Sequence, residues 1–575
     1  MQWPSATLQR SVPRLPAISL PRIRISVILT AIAPFAIYLA LGAVIAFEHH
    51  AVPGDAWSRV GNAYYVLYSR DPHLAAMGFV WTPLPSFLVM PLLPFQVFFP
   101  GLVRDGYAAV VVSAAAMAVA VWQLHGFLVD LQTRRSLRIV LTAAFALHPM
   151  IVLYGANGMS EALFVAALVI TVRFVARWIH EPTTSSLVAA AMALALAYLT
   201  RYEAVIAAGA AGAIVGLVSY MRAGGVARER RLTAVADLLV LLVPVGAAFA
   251  SWALASWVIT GEPFPIFTSI YGNSAYVARA ASENAAATGQ GTAAALSYVA
   301  GQIVGLEPLL LPIIAASAAI CLWRRDWRVL AVTVILGAVL AFQVYAFLTG
   351  RTYGWLRFYI SAVPLATMLV GLCVAETRVP RPPLADGARL LHRAIRIGAD
   401  SRWPRVIAGG VLAGCLMSAY WPAFQTMADT RLGRGETAEH IHAMIGRSGP
   451  GAYEPYSAEQ ALGAREIALE LDAMDLDEGA VLTDSATAFP IIMQVADPRV
   501  LVITSDRDFE GALADPQAYR VEYLLLPPDF QGHDALNRAY PDLYRSGTPF
   551  TELVRTFDAP GRSPDWKLYR VIDNT

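Results

Sequence analysis

Few residues of this 575-residue chain can do chemistry, and most of them stand beside long apolar runs. Asp55 opens the stretch 54–85, GDAWSRVGNAYYVLYSRDPHLAAMGFVWTPLP, which follows the first apolar run and is too polar to cross a bilayer. A partly desolvated carboxylate there can take a proton from an attacking hydroxyl; a solvated or helix-capping Asp is the plainer reading. Arg351 and Arg357, in GRTYGWLRFYISAVP, lie at the start of a later apolar run. Their planar forks of donors suit a phosphate, although arginines there also snorkel to headgroups. Arg201 and Glu203 flank Tyr202 between two closely spaced runs, as an ion pair or as part of a ligand site. Glu161 follows Asn157-Gly158-Met159-Ser160 at a helix start, either complementing the helix dipole or acting as a second acid opposite Asp55. Arg59, Tyr64, Glu203 and Tyr271 are candidates for contact with a sugar or an acceptor, since tyrosine rings suit both sugar stacking and membrane interfaces.

Metal chemistry has little support. His148 has no second His or Cys at ligand spacing, and Cys321, Cys373 and Cys415 lie in apolar runs without a CxxC pair. No metal ligand is assigned.

The elements that must hold these residues are membrane helices. The chain is 57% hydrophobic and 15% charged, against roughly 25% charged in soluble domains. Several apolar runs reach about 20 residues, the length that crosses hydrocarbon as a helix. The pattern predicts about eleven spans, near 25–47, 106–130, 138–155, 161–180, 185–200, 203–221, 234–259, 303–323, 329–349, 356–376 and 404–423. Segment 83–100 is apolar but holds Pro83, Pro85, Pro91, Pro94 and Pro100, which break the helical ladder repeatedly. It is therefore expected as broken helices along the outer membrane surface. With the N-terminal tail 1–24 in the cytoplasm, every arginine cluster then falls inside, as the positive-inside rule requires. Asp55, Glu161, Arg201, Glu203, Arg351 and Arg357 all fall at outer span ends, which points to a single site at that surface.

Charge divides the chain. Residues 1–430 carry a net charge of +12 and residues 431–575 a net charge of −11. Segments 480–485, 499–506, 521–528 and 566–572 read as strands, and 459–474 and the run FEGALAD as helices, giving a small α/β domain over 430–575 outside the membrane. Asp484, Asp506 and Asp508 lie at its strand ends, where ligands bind in open sheets, or are solvated surface acids. The loop 260–302 is amphipathic and reads as an interfacial connector or as a lid.

Taken together, these stretches resemble the GT-C superfamily of polyprenyl-phosphate-sugar-dependent glycosyltransferases, among them protein mannosyltransferases and aminoarabinose transferases. The resemblance covers about 25–425 and rests on the Asp-opened first loop, WTPLPSFLVMPLLP, NGMSE, LTRYEA and RFYISAVPLA. It implies a polytopic helical fold in the inner (plasma) membrane and transfer of a sugar from a polyprenyl-phosphate donor to an extracytoplasmic glycan, lipid or protein hydroxyl. It also implies Asp55 as catalytic base, Glu161 as the outer acid, and Arg357, Arg351 and Arg201 on the lipid phosphate. Direct displacement would invert the anomeric centre. Many members carry paired acids in the first loop, whereas Ala56 and Trp57 follow Asp55 here; a divalent cation is the one cofactor the resemblance leaves open. A flippase for a lipid-linked sugar or a membrane scaffold are the rival readings. The scaffold reading requires that Asp55, Arg201 and Arg357 stay apart. Nothing in the sequence suggests a nucleic-acid partner.

Overall fold

The computed structural model describes residues 25–375, except 270, 273–276, 278–283, 286–287 and 290, and residues 410–572, except 412, 435, 446–455, 530–533, 559–560 and 562. It is a multi-pass membrane protein with a small α/β domain. Among the described residues seven helices are long and apolar enough to cross a bilayer, and two bent pairs bring the number to nine. Thr30–Glu48 begins the series and Leu356–Cys373 ends it. The latter is 94% buried, whereas Ala227–Thr260 is 11% buried. Leu356–Cys373 is thus enclosed by the other helices, and Ala227–Thr260 presents its apolar side chains outward, toward lipid.

Several expected spans take a different form. Segment 138–155 is a pair of helices, Arg135–Ala146 and Pro149–Ala156, bent by 59°. Segment 303–323 belongs to a longer pair, Thr292–Leu306 and Leu310–Arg324, bent by 70°. Each break carries a proline, Pro149 and Pro308, which lacks the amide hydrogen and crowds the preceding turn. The helix Thr184–Thr200 has 17 residues, about 26 Å at 1.5 Å per residue, short of the hydrocarbon thickness. Ala227–Thr260 runs for 34 residues and extends beyond the expected 234–259. The expected span 404–423 lies largely outside the described residues. Segment 83–100 is broken as its prolines demand, into Leu84–Val89 and a 3₁₀ stretch, Met90–Val97, before the short helix Gly101–Arg104.

Small residues let the helices touch. A Cβ placed on Gly42 would stand 2.6 Å from the Ala156 carbonyl oxygen, a backbone atom that cannot move aside. Gly42→Val is expected to cost about 1–3 kcal/mol through overpacking, read as a lower thermal midpoint in detergent.

In the C-terminal domain, β1 (Val481–Thr483), β2 (Leu501–Ile503), β3 (Tyr523–Leu526), β4 (Thr551–Phe557) and β5 (Trp566–Val571) form one sheet in the order β2-β1-β3-β5-β4. β1 pairs in parallel with β2 and β3, and β5 pairs antiparallel with β3 and β4. β4 was not expected from the sequence. It is an edge strand with charged Glu552 and Arg555, and such edges dilute the apolar signal that marks a strand. The helix Ser485–Ile492 was also missed, because Pro490 interrupts its pattern.

Candidate functional site

Asp55 lies in the first turn of the helix Gly54–Tyr68, where the helix dipole favours a carboxylate. Arg357 comes from the 3₁₀ turn Leu356–Tyr359, and its Nη2 donates to Asp55 Oδ2 at 2.8 Å. Glu161 opens the helix Glu161–His180 and is 2% exposed. Its Oε1 lies 3.6 Å from Arg357 Nε and accepts from Arg201 Nη1 at 2.7 Å. Arg201 stands between the helices Thr184–Thr200 and Ala204–Arg222. Its Nη2 donates to Glu203 Oε1 at 2.9 Å, and the same oxygen accepts from Gln343 Nε2 at 3.2 Å. Acids and guanidiniums thus alternate, Asp55–Arg357–Glu161–Arg201–Glu203, across elements up to 302 residues apart. Trp355 stacks on Arg357, its ring centroid 4.2 Å from Cζ, which fixes the plane of the fork.

This row borders a cavity of about 730 Å³. Asp55, Arg59, Arg201, Glu203, Arg351 and Arg357 form its polar wall, and aromatic side chains such as Phe249, Trp252 and Phe264 form much of the rest. Large, largely apolar pockets with a few convergent polar groups are the usual form of a small-molecule site. The Asp55 side chain is 48% exposed, open to this cavity. Enclosure by the cavity walls pushes its carboxyl up, but Arg357 first, then Arg59 and Arg201, hold it below the ordinary value. Burial likewise pushes Glu203 up, and Arg201 reverses that and leaves it lowered.

The arginines of the cavity wall are not equally available to a ligand. Arg201 is engaged by two carboxylates, and burial, which would lower its pKa, is outweighed by Glu203 and Glu161. Arg59 donates to the Thr82 carbonyl and lies over the Trp81 ring. Arg351 is exposed in the cavity wall and, among the described residues, has no carboxylate partner. Arg201→Ala would leave Glu161 and Glu203 without their shared cation. It should cost about 3–5 kcal/mol, as broken buried pairs do, whereas Arg351→Ala should leave the folded fraction on size exclusion unchanged.

Three sequence candidates lie elsewhere. Glu161 does not face Asp55. It sits behind the cavity wall with Arg357 between them, and its Oε2 has no hydrogen-bond partner. Tyr64 is buried against Tyr68 and does not line the cavity. It is nine residues from Asp55, about two and a half helical turns, and so lies on the opposite face. Arg59, four residues on, shares the Asp55 face. Tyr271 leaves the cavity altogether and donates its hydroxyl to Asp484 at 2.6 Å. Gln343 was missed, although a lone amide within the apolar run VLAFQVY marks a polar contact by the rule that such groups face a partner.

A divalent cation does not fit these donors. Among the described residues no three His, Cys, Asp or Glu side chains converge, and each cavity carboxylate is already bound to a guanidinium.

No family model and no curated protein matches the sequence. Among solved structures, that of ArnT from Cupriavidus metallidurans bound to undecaprenyl phosphate superposes with a TM-score of 0.51 at 14% identity, over 96% of this chain and 98% of that one. The chain shares the fold of this ArnT structure. Archaeal oligosaccharyltransferase AglB from Archaeoglobus fulgidus, in complex with an inhibitory peptide and a dolichol-phosphate, gives 0.40 at 12% identity over 86% and 69%. Mycobacterial arabinofuranosyltransferase AftD gives 0.43 at 15% over 95% and 41%. The fold likeness rests on the first of these. The fold brings Asp55, Arg201 and Arg357 to one place, which is the reverse of what a scaffold requires.

Proposed function

We propose that this chain transfers a sugar from a polyprenyl-phosphate carrier to the hydroxyl of an extracytoplasmic glycan, lipid or protein. The observation that carries this reading is the 2.8 Å pair of Asp55 and Arg357 at the edge of a large, mostly apolar cavity. The ArnT structure with the same fold holds undecaprenyl phosphate, which supports a lipid phosphate as the donor's leaving group.

In this reading the phosphate binds Arg351, whose charge is unspent, and Arg357. Asp55 takes the proton of the acceptor oxygen as that oxygen attacks the anomeric carbon. The bond from that carbon to the phosphate oxygen breaks, and the arginines stabilise the departing charge. Attack opposite the leaving group inverts the centre. Glu161 holds Arg357 and Arg201 in place, and Glu203, itself bound by Gln343, holds Arg201. The site lies on the outer side of the inner membrane, the N-terminus is cytoplasmic, and the acidic domain faces outward.

The test uses full-length protein in proteoliposomes supplied with polyprenyl-phosphate sugars and candidate acceptors. Release of polyprenyl phosphate with glycosylated acceptor supports transfer. Movement of intact donor across the bilayer without product would instead make the protein a flippase.

A further inference from the structure

Two walls of the cavity reach the C-terminal domain at a single helix. Phe264, Ile266 and Phe267 line the cavity, and a few residues further on the Tyr271 hydroxyl donates to Asp484 Oδ2. Asp484 is fully buried and caps the helix Ser485–Ile492, accepting from Ala486 N at 2.8 Å. It is fixed further by Thr504 Oγ1 at 3.1 Å and by Ala535 N at 2.8 Å. Its position is therefore set by the sheet, and Tyr271 is the hydrogen-bond partner that arrives from the membrane domain. On the same helix Phe489 meets Trp57 edge-on, with ring centroids 6.0 Å apart. Trp57 is itself anchored, its Nε1 donating to the Val103 carbonyl at 3.1 Å. A Cβ on Gly54 would lie 3.9 Å from Phe489 Cζ. Asp55 lies between Gly54 and Trp57 in sequence, so Phe489 packs beside the helical turn that carries the carboxylate bordering the cavity. Just past the far end of the Asp55 helix, Gly54–Tyr68, the chain is tied to the domain as well, by Arg70 with Asp506 at 3.3 Å and by Asp71 with Arg507 at 3.2 Å.

We propose that the helix Ser485–Ile492 is a positioning element that links the cavity-lining residues 264–267 to the Asp55 helix, with Tyr271, Asp484 and Phe489 as positioning residues. The C-terminal domain then has a physical task. It sets where Asp55 stands relative to the cavity wall, and a shift of about 1 Å at such a group can cost about 100-fold in rate. The link to catalysis rests on the transferase reading; the mechanical link does not.

The experiment places a thiol in the cavity by Ser58→Cys in full-length protein with Cys415→Ser, Cys321 and Cys373 being buried. The rate of reaction with a maleimide probe is then compared after Tyr271→Phe, Phe489→Ala and both together. Each single change should alter the labelling rate by about fivefold, with the pair giving no more than the larger single effect, since coupled residues are non-additive. Unchanged labelling in both single variants, even with a lowered thermal midpoint, would overturn the proposal, and so would effects that simply multiply. Tyr271→Phe removes one oxygen from a half-buried side chain and so tests the link even if Phe489→Ala fails to fold. In the transfer assay Tyr271→Phe should lower kcat with the donor KM unchanged. Should the parent protein show no transfer at all, the transferase reading falls while the labelling result still decides the mechanical one.

Discussion

Asp55→Asn is expected to reduce sugar transfer by about 10²–10⁴-fold, the contribution of a positioned general base, while the protein remains folded and still binds polyprenyl phosphate. The amide keeps the size of the carboxylate and an oxygen that can accept from Arg357. Arg357 also retains Glu161 at 3.6 Å and the Trp355 ring beneath it. The substitution therefore removes a charge and a proton acceptor without collapsing the wall. The pH dependence carries a sign. In the proposed mechanism Asp55 works ionised, and its folded pKa lies below the ordinary value, which is about 3.9 for Asp. The rate kcat/KM should thus be level above about pH 5, its acid limb falling only below the range in which a free Asp titrates. The same shift stabilises the fold. That contribution is full above the unfolded pKa and is lost as pH falls through the lower folded one. The measurements are initial rates of polyprenyl phosphate release against pH, for the parent and the variant. A rate in Asp55→Asn equal to the parent's would remove the base from the mechanism.

Much of this site was readable because the charges it uses are rare in their surroundings. Arg201, Glu203 and Arg357 stand beside apolar runs, where an ionisable group is costly and must have a partner. The arginine pattern also gave an expected parity of the spans, in which these groups share one depth. Partners are another matter. The Arg201–Glu203 pair was one reading of the sequence, but that Arg357 would bind Asp55, and Arg201 also Glu161, depends on how the helices pack. Glu161 was expected opposite Asp55 and Tyr64 against a sugar or acceptor, but helix rotation places one behind the wall and the other on the far face. Tyr271 was chosen for its ring, whereas its hydroxyl is what the fold uses. The bends at Pro149 and Pro308 are encoded by single residues inside otherwise apolar stretches, and a hydropathy average smooths them away.

Arg357→Gln should have the second largest effect, about 10²–10³-fold in kcat, the cost of removing one preorganised donor from a developing charge. Its consequence differs in kind from that of Arg351→Gln. Arg351 has no carboxylate to hold, so its loss should raise the donor KM and leave the acid limb of the pH profile where it was. Arg357 opposes the upward push of enclosure on Asp55 more than any other group, so its loss should move that limb to higher pH. The same logic acts within the catalytic cycle. A lipid phosphate that binds Arg357 neutralises the charge that keeps Asp55 weakly basic, so the carboxylate gains proton affinity when the donor arrives. The base is then poor in the empty site and better in the loaded one, which favours donor binding before deprotonation of the acceptor. The signature is an acid limb in kcat, which reports the loaded enzyme, at higher pH than that in kcat/KM, which reports the free one. In Arg357→Gln the two limbs should coincide. Coincident limbs in the parent would mean that the phosphate does not compete with Asp55 for this guanidinium.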